Sequence, residues 1–192
     1  MPAATVEVVR TYLEMTAPEA LAPARGPAPT EARAFRVERV GFCPAAFFRF
    51  LYGEVGRAYR WTDRLGWSDG EIRAYLDAGD VSFHVLYVEH APGGYFELKR
   101  DGLAAIEIAY FGLLPDYVGH GLGGWLLTRA VETAWADKPA RVWLHTCTLD
   151  HPAALPNYLK RGFRRVREER YLVPAILQAP DGSSSGVCQL NP

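Results

Sequence analysis

The stretch from Leu103 to Leu114, LAAIEIAYFGLL, carries one charge in twelve residues, at Glu107. So short and apolar a run reads as a strand covered on both faces, which places it at the centre of a sheet. Pro115 ends it, glycines follow at 119, 121, 123 and 124, and GWLLTRAVETAWADK then shows helical spacing of Leu126, Leu127, Ala130 and Ala134. A central strand passing through a glycine-rich turn into an apolar helix belongs to α/β architecture. The flanking segments agree with it. Val81–Glu89 and Gly94–Lys99 read as strands joined by a hairpin turn, HAPG, and Arg141–Thr148 and Phe163–Val173 as further strands. Pro44–Arg57 has Phe47, Phe48, Leu51, Tyr52 and Val55 at helical spacing, and Ser68 with Glu71 forms a capping box for a helix ending near Ala78. Pro152–Arg161 reads as a short helix with Asp150 as N-cap. Thr5–Glu14 and Ala32–Val40 alternate as strands around a Pro/Ala segment, and the tail from residue 178 lacks pattern.

Composition narrows the function classes. The 192 residues are 49% hydrophobic and 22% charged, enough apolar material for one core, so we expect a single domain with its core at about residues 32–173 and an N-terminal strand arm. The formal charge of −1 supplies no basic excess of the kind that general nucleic-acid binding needs. No apolar run approaches a bilayer span, and the N-terminus has no basic segment followed by an apolar one. Cys43, Cys147 and Cys188 are too scattered for a disulfide framework or a CxxC site. The expected setting is the cytoplasm, without membrane, nucleic acid or metal.

The glycine-rich turn has several readings. Taken alone it is a flexible strand-to-helix connection. It also suits an anion: glycines let backbone approach a ligand, and the first helical turn offers unpaired N–H groups and the positive dipole end. A dinucleotide fingerprint belongs in a first βαβ unit, whereas GHGLGG lies past the middle of the chain, and a P-loop would need Gly-Lys-Ser/Thr. Val118-Gly119-His120-Gly121-Leu122-Gly123, together with Asn157–Phe163 (NYLKRGF) downstream, resembles the GCN5-related N-acetyltransferase (GNAT) superfamily. Its acetyl-CoA signature is Gln/Arg-x-x-Gly-x-Gly/Ala, followed by a Tyr-x-Lys-x-Gly-Phe segment; Val118 departs from the first motif and His151 replaces a common Asn. The resemblance covers roughly Val81–Glu168.

It implies a GNAT fold: a mixed, partly splayed sheet of about six to seven strands flanked by about four helices. It also implies acetyl transfer from acetyl-CoA to a primary amine of a small molecule or peptide, by direct transfer in a ternary complex. A non-catalytic acyl-CoA sensor or interaction module on the same fold is the alternative, and a homodimer stays open. The resemblance puts the cofactor along Phe111, Gly112, Leu113 and Leu114 and over Val118, Gly119, His120, Gly121, Leu122 and Gly123.

Glu107 is the candidate general base, since a carboxylate in a central strand is costly unless paired or functional; an ion pair with Lys99 is the competing reading. Tyr158 falls on the family tyrosine that protonates the departing thiolate, against a role as core anchor. His145 is an alternative base or a structural hydrogen-bonder, and Cys147 a buried thiol. Trp61, Asp63 and Trp67 are candidates for the acceptor wall, because aromatic faces and carboxylates suit a cationic amine. Arg64 beside them can pair with Asp63 at the surface.

Overall fold

The computed structural model describes residues 4–26, 34–102 and 104–175; the tail beyond them lies outside the described residues. Their strands are β1 (Thr5–Met15), β2 (Phe35–Arg39), β3 (Val81–Val88), β4 (Ala91–Asp101), β5 (Ala105–Leu113), β6 (Arg141–Cys147) and β7 (Arg164–Pro174). The α-helices are α1 (Ala45–Gly56), α2 (Asp69–Leu76), α3 (Leu122–Ala136) and α4 (Ala154–Lys160). The strands form one sheet in the order β2-β3-β4-β5-β6-β1-β7, antiparallel throughout except for β5 with β6.

The periodicities explain the layers. Leu126, Leu127, Ala130, Val131 and Ala134 of α3 are buried on one face of the sheet with Leu13, Ile106, Ile108 and Leu144. Phe48, Leu51, Tyr52 and Val55 of α1, with Ile72 of α2, cover Phe83, Val85 and Tyr95 on the other face. β5 therefore has packing on both sides, which accounts for its apolar run. The capping box forms: the Glu71 N–H donates to Ser68 Oγ at 3.3 Å and the Ser68 N–H to Glu71 Oε2 at 2.7 Å.

Three expectations change. The β3–β4 hairpin turns at Glu89-His90, since Val88 pairs with Ala91, so HAPG belongs mostly to the second strand. Asp150 does not cap α4; its carboxylate accepts from Thr146 Oγ1 at 2.6 Å and the Cys147 N–H at 2.9 Å, tying down the end of β6. The N-terminal strand is no arm beside a core at 32–173. β1 is an inner strand between β6 and β7, with Leu13 and Met15 buried. Residues after it cross α3 and the C-terminal end of α4, where the Ala22 N–H donates to Arg161 O and the Ala24 N–H to Thr128 Oγ1.

Candidate active site

The parallel pair β5–β6 stays in register for only three residue pairs, from Ala105↔Arg141 to Glu107↔Trp143. Beyond them a cavity of about 860 Å³ is lined by Ile108–Leu113 on one side and by His145, Cys147 and Leu149 on the other. A bulge at Ala109 sets the side chains of that opening: Leu98 pairs with Ile108, but Glu97 pairs with Tyr110. Tyr110 thereby faces the same way as Glu107. The parted edge leaves backbone donors and acceptors along the cavity wall, where an extended arm can lie as an added strand.

Glu107 lines the cavity with its side chain 18% exposed. Burial pushes its carboxyl up to about 7; Lys99 across the strand opposes this, and Asp101 and Glu97 add to it. Lys99 faces Glu107 in register, but no ion pair joins them among the described residues. The nearest ionisable partner is His145, whose Nε2 lies 3.8 Å from Glu107 Oε1. Burial and the charge of Arg10 hold His145 down at about 4, so at neutral pH it is an uncharged neighbour and the contact is not an ion pair.

Tyr158, the buried residue of α4, reaches the cavity beside Phe111, and burial with the charge of Asp150 raises its phenol above the ordinary value. Its hydroxyl has no hydrogen-bond partner among the described residues. The opposite wall comes from the connection after α1. Trp61 folds back onto Gly56, where a Cβ would stand 2.5 Å from its own, and packs against Tyr52, Tyr95 and Tyr110. Asp63 accepts from the Tyr110 hydroxyl at 3.1 Å, and burial raises its carboxyl above the usual range. Arg64 does not pair with Asp63 at the surface. It is buried and donates to both oxygens of Glu97, at 2.7 and 2.9 Å, within rings of Phe48, Trp67, Tyr75 and Tyr110. The reason is geometric: strand alternation brings the carboxylate of β4 directly beneath the connection.

At the other end of the cavity α3 begins at Gly121, which has φ +77° and makes no side-chain cap. Gly119 also has positive φ, +86°. The first-turn N–H groups therefore face an approach that no capping side chain occupies, as a phosphate cradle requires. Asn157 Nδ2 donates to Gly123 O at 3.4 Å, tying this turn to α4.

Among residues predicted from sequence, Trp61, Asp63, Trp67, Glu107, Phe111, Gly112, Leu113, Val118, Gly119, Gly123 and Tyr158 line this one cavity. Leu114 and Leu122 are instead buried in the two cores, and His120 and Gly121 stand outside the lining. Sequence reasoning missed Arg10, Tyr110 and Glu97. Glu97 offered the same signal as Glu107, a carboxylate inside an apolar strand. Arg10 offered none, because nothing local ties β1 to β6. Among the described residues no group of three or more His, Cys, Asp or Glu is arranged to hold a metal ion, and no helix is long and apolar enough to cross a membrane.

A splayed parallel pair within a mixed seven-stranded sheet, with a glycine-started helix at its mouth, defines the GNAT architecture that the two motifs resemble. Residues 50–163, more than half of the chain, match the Acetyltransferase (GNAT) family, and the chain belongs to that family. Mycothiol acetyltransferase from a Nocardioides species is 36% identical over 93 residues, which cover 44% of this chain and 30% of that protein. A GCN5-related N-acetyltransferase from Kribbella flavida superposes with a TM-score of 0.57 at 17% identity, covering 84% of this chain and 56% of that one. A tandem GNAT protein from the clavulanic acid biosynthesis pathway gives 0.56 at 15% identity, covering 90% and 53%. At these identities the solved structures speak for the fold, and the chain spans little more than half their length.

Proposed function

We propose that this chain transfers an acetyl group from acetyl-CoA to a primary amine of a small molecule or peptide, directly within a ternary complex. The observation that carries the reading is one cavity lined by a largely buried carboxyl, Glu107, on one strand of the splayed pair and by a phenol, Tyr158 of α4, whose hydroxyl has no hydrogen-bond partner among the described residues. Acetyl-CoA supplies the activated acyl group when bound; the turn at Gly119–Gly124 would hold its diphosphate and the open edge of Ile108–Leu113 its extended arm. Glu107, with a pKa of about 7, takes the proton that the amine must lose. The amine nitrogen bonds to the acyl carbon, the carbon–sulfur bond breaks, Tyr158 donates its proton to the departing sulfur, and the second proton that the nitrogen sheds returns Tyr158 to its neutral phenol. Asp63 and the faces of Trp61 and Trp67 attract the cationic acceptor before that proton is lost.

Thiol release from acetyl-CoA is the test, with an amine library as acceptor and calorimetry of CoA binding in parallel. Release that depends on the amine supports transfer. Binding of CoA without release under any amine would make the chain a sensor.

A further inference from the structure

We infer that the amine acceptor also carries a carboxylate, and that Arg10 on β1 recognises it. The inference rests on the acetyl-transfer reading and names its substrate class: a small zwitterion such as an amino acid. Arg10 stands opposite Cys147 in the β1–β6 register and lines the same cavity as Cys147, His145 and Glu107. It is half-buried, yet no carboxylate of the described residues pairs with it. Among the described residues its Nη1 and Nη2 donate to the phenol oxygens of Tyr12 and Tyr171, both at 3.4 Å, beyond the usual range for N–H···O, and the guanidinium lies over the Tyr171 ring, 5.1 Å from its centre. Most of the guanidinium donors thus have no partner among the described residues and can serve a ligand.

The carboxylate nearest in register is already engaged. Glu169 faces Arg10 across β1–β7, but it accepts from the Tyr12 hydroxyl at 2.8 Å and pairs with Arg167. A half-buried guanidinium with no ion-pair partner among the described residues, facing an open cavity, can take an anionic group from a ligand. Its planar fork matches a carboxylate through two parallel hydrogen bonds. Arg10 lines the same cavity as Asp63, His145 and Glu107, and its charge acts on Asp63 and His145. One cavity lined by the Arg10 cation and by the carboxyls of Asp63 and Glu107 fits a molecule with an anionic end and an amine end. A simple polyamine would bring its second charge toward Arg10 and be repelled.

The experiment compares free amino acids with the same molecules amidated at the carboxylate or lacking it, as acetyl acceptors and as ligands of the CoA-saturated protein. In the unaltered protein, kcat/KM should be about tenfold to 100-fold higher for the acids, the scale of a charge-assisted paired contact. Arg10→Met should abolish that preference, lowering kcat/KM for the acids far more than for the amides, and Arg10→Lys should restore part of it. Equal use of acids and amides by the unaltered protein overturns the inference and leaves acetyl transfer standing. With no turnover of any acceptor, calorimetry decides. Tighter binding of acids than amides keeps the recognition by Arg10 and removes the transferase reading; equal binding overturns the recognition too.

Discussion

Glu107 pairs a cost in stability with a gain in chemistry. Its carboxyl titrates at about 7 in the fold against 4.5 as a free group. Between those values the unfolded chain gives up a proton that the folded chain keeps, so stability falls as pH rises from 4.5 to 7 and stays lower above. Glu107→Gln removes that penalty. Denaturant unfolding at pH 8 should show a gain on the order of 2–3 kcal/mol, with little change at pH 4. Turnover should meanwhile fall by roughly 100-fold, and in the parent protein the rate should climb with pH up to about 7. A variant that loses stability at pH 8 would mark Glu107 as one half of a structural pair. Tyr158→Phe separates function from packing in the same way. Because the hydroxyl has no protein partner among the described residues, its loss should leave the melting temperature within a degree or two. Single-turnover acetyl transfer should slow by tenfold or more. A full-rate variant removes Tyr158 from the chemistry.

At the scale of elements, two contacts keep the walls in place. Arg64, 7% exposed, and Glu97, fully buried, clamp the connection after α1 onto β4, and the Tyr75 hydroxyl of α2 also donates to Glu97. Arg64→Met would strand the carboxylate without its cation. Chemical denaturation should register a loss of about 3–5 kcal/mol, part of it regained when Glu97→Gln is added. No regain in the double variant would mean that the aromatic cage, and not the charge pair, holds the connection. The second contact closes α4. The Phe163 N–H donates to Tyr158 O and the Gly162 N–H to Leu159 O, with Gly162 at φ +98°, the helix stop that a glycine supplies best. A Cβ at Gly162 would also stand 1.8 Å from Ala20 O of the crossing N-terminal segment. Gly162→Ala should cost about 2 kcal/mol or more, measured by unfolding; a neutral substitution would show the crossing segment to be readily displaced.

For the whole molecule, β1 decides how the sheet is joined. It pairs with β6 over Arg10–Met15 and with β7 over Thr5–Glu14, so β7 reaches the rest of the sheet through it alone among the described residues. An appended strand would exchange its amide protons early, whereas an inner strand opens with the core. Hydrogen exchange should find β1 amides as protected as those of β6. Fast exchange across β1 with slow exchange in β6 would refute its place as an inner strand.

The sequence by itself determined the local elements and the candidate chemistry along the polypeptide. Glu107 is legible because a charge within an apolar strand breaks the pattern, a signal that Glu97 also carried and that went unread, and the capping box at Ser68–Glu71 is a local hydrogen-bond exchange. The two motifs at 118–123 and 157–163 carry the family by their order and spacing. What only tertiary structure decided is what meets across long sequence separations: β1 between β6 and β7, Arg64 on Glu97, and Arg10 beside the cavity. Those partners depend on strand order and register, which local propensity and hydrophobic period do not encode, because a buried strand is satisfied by any neighbour that completes its hydrogen bonds and covers its faces.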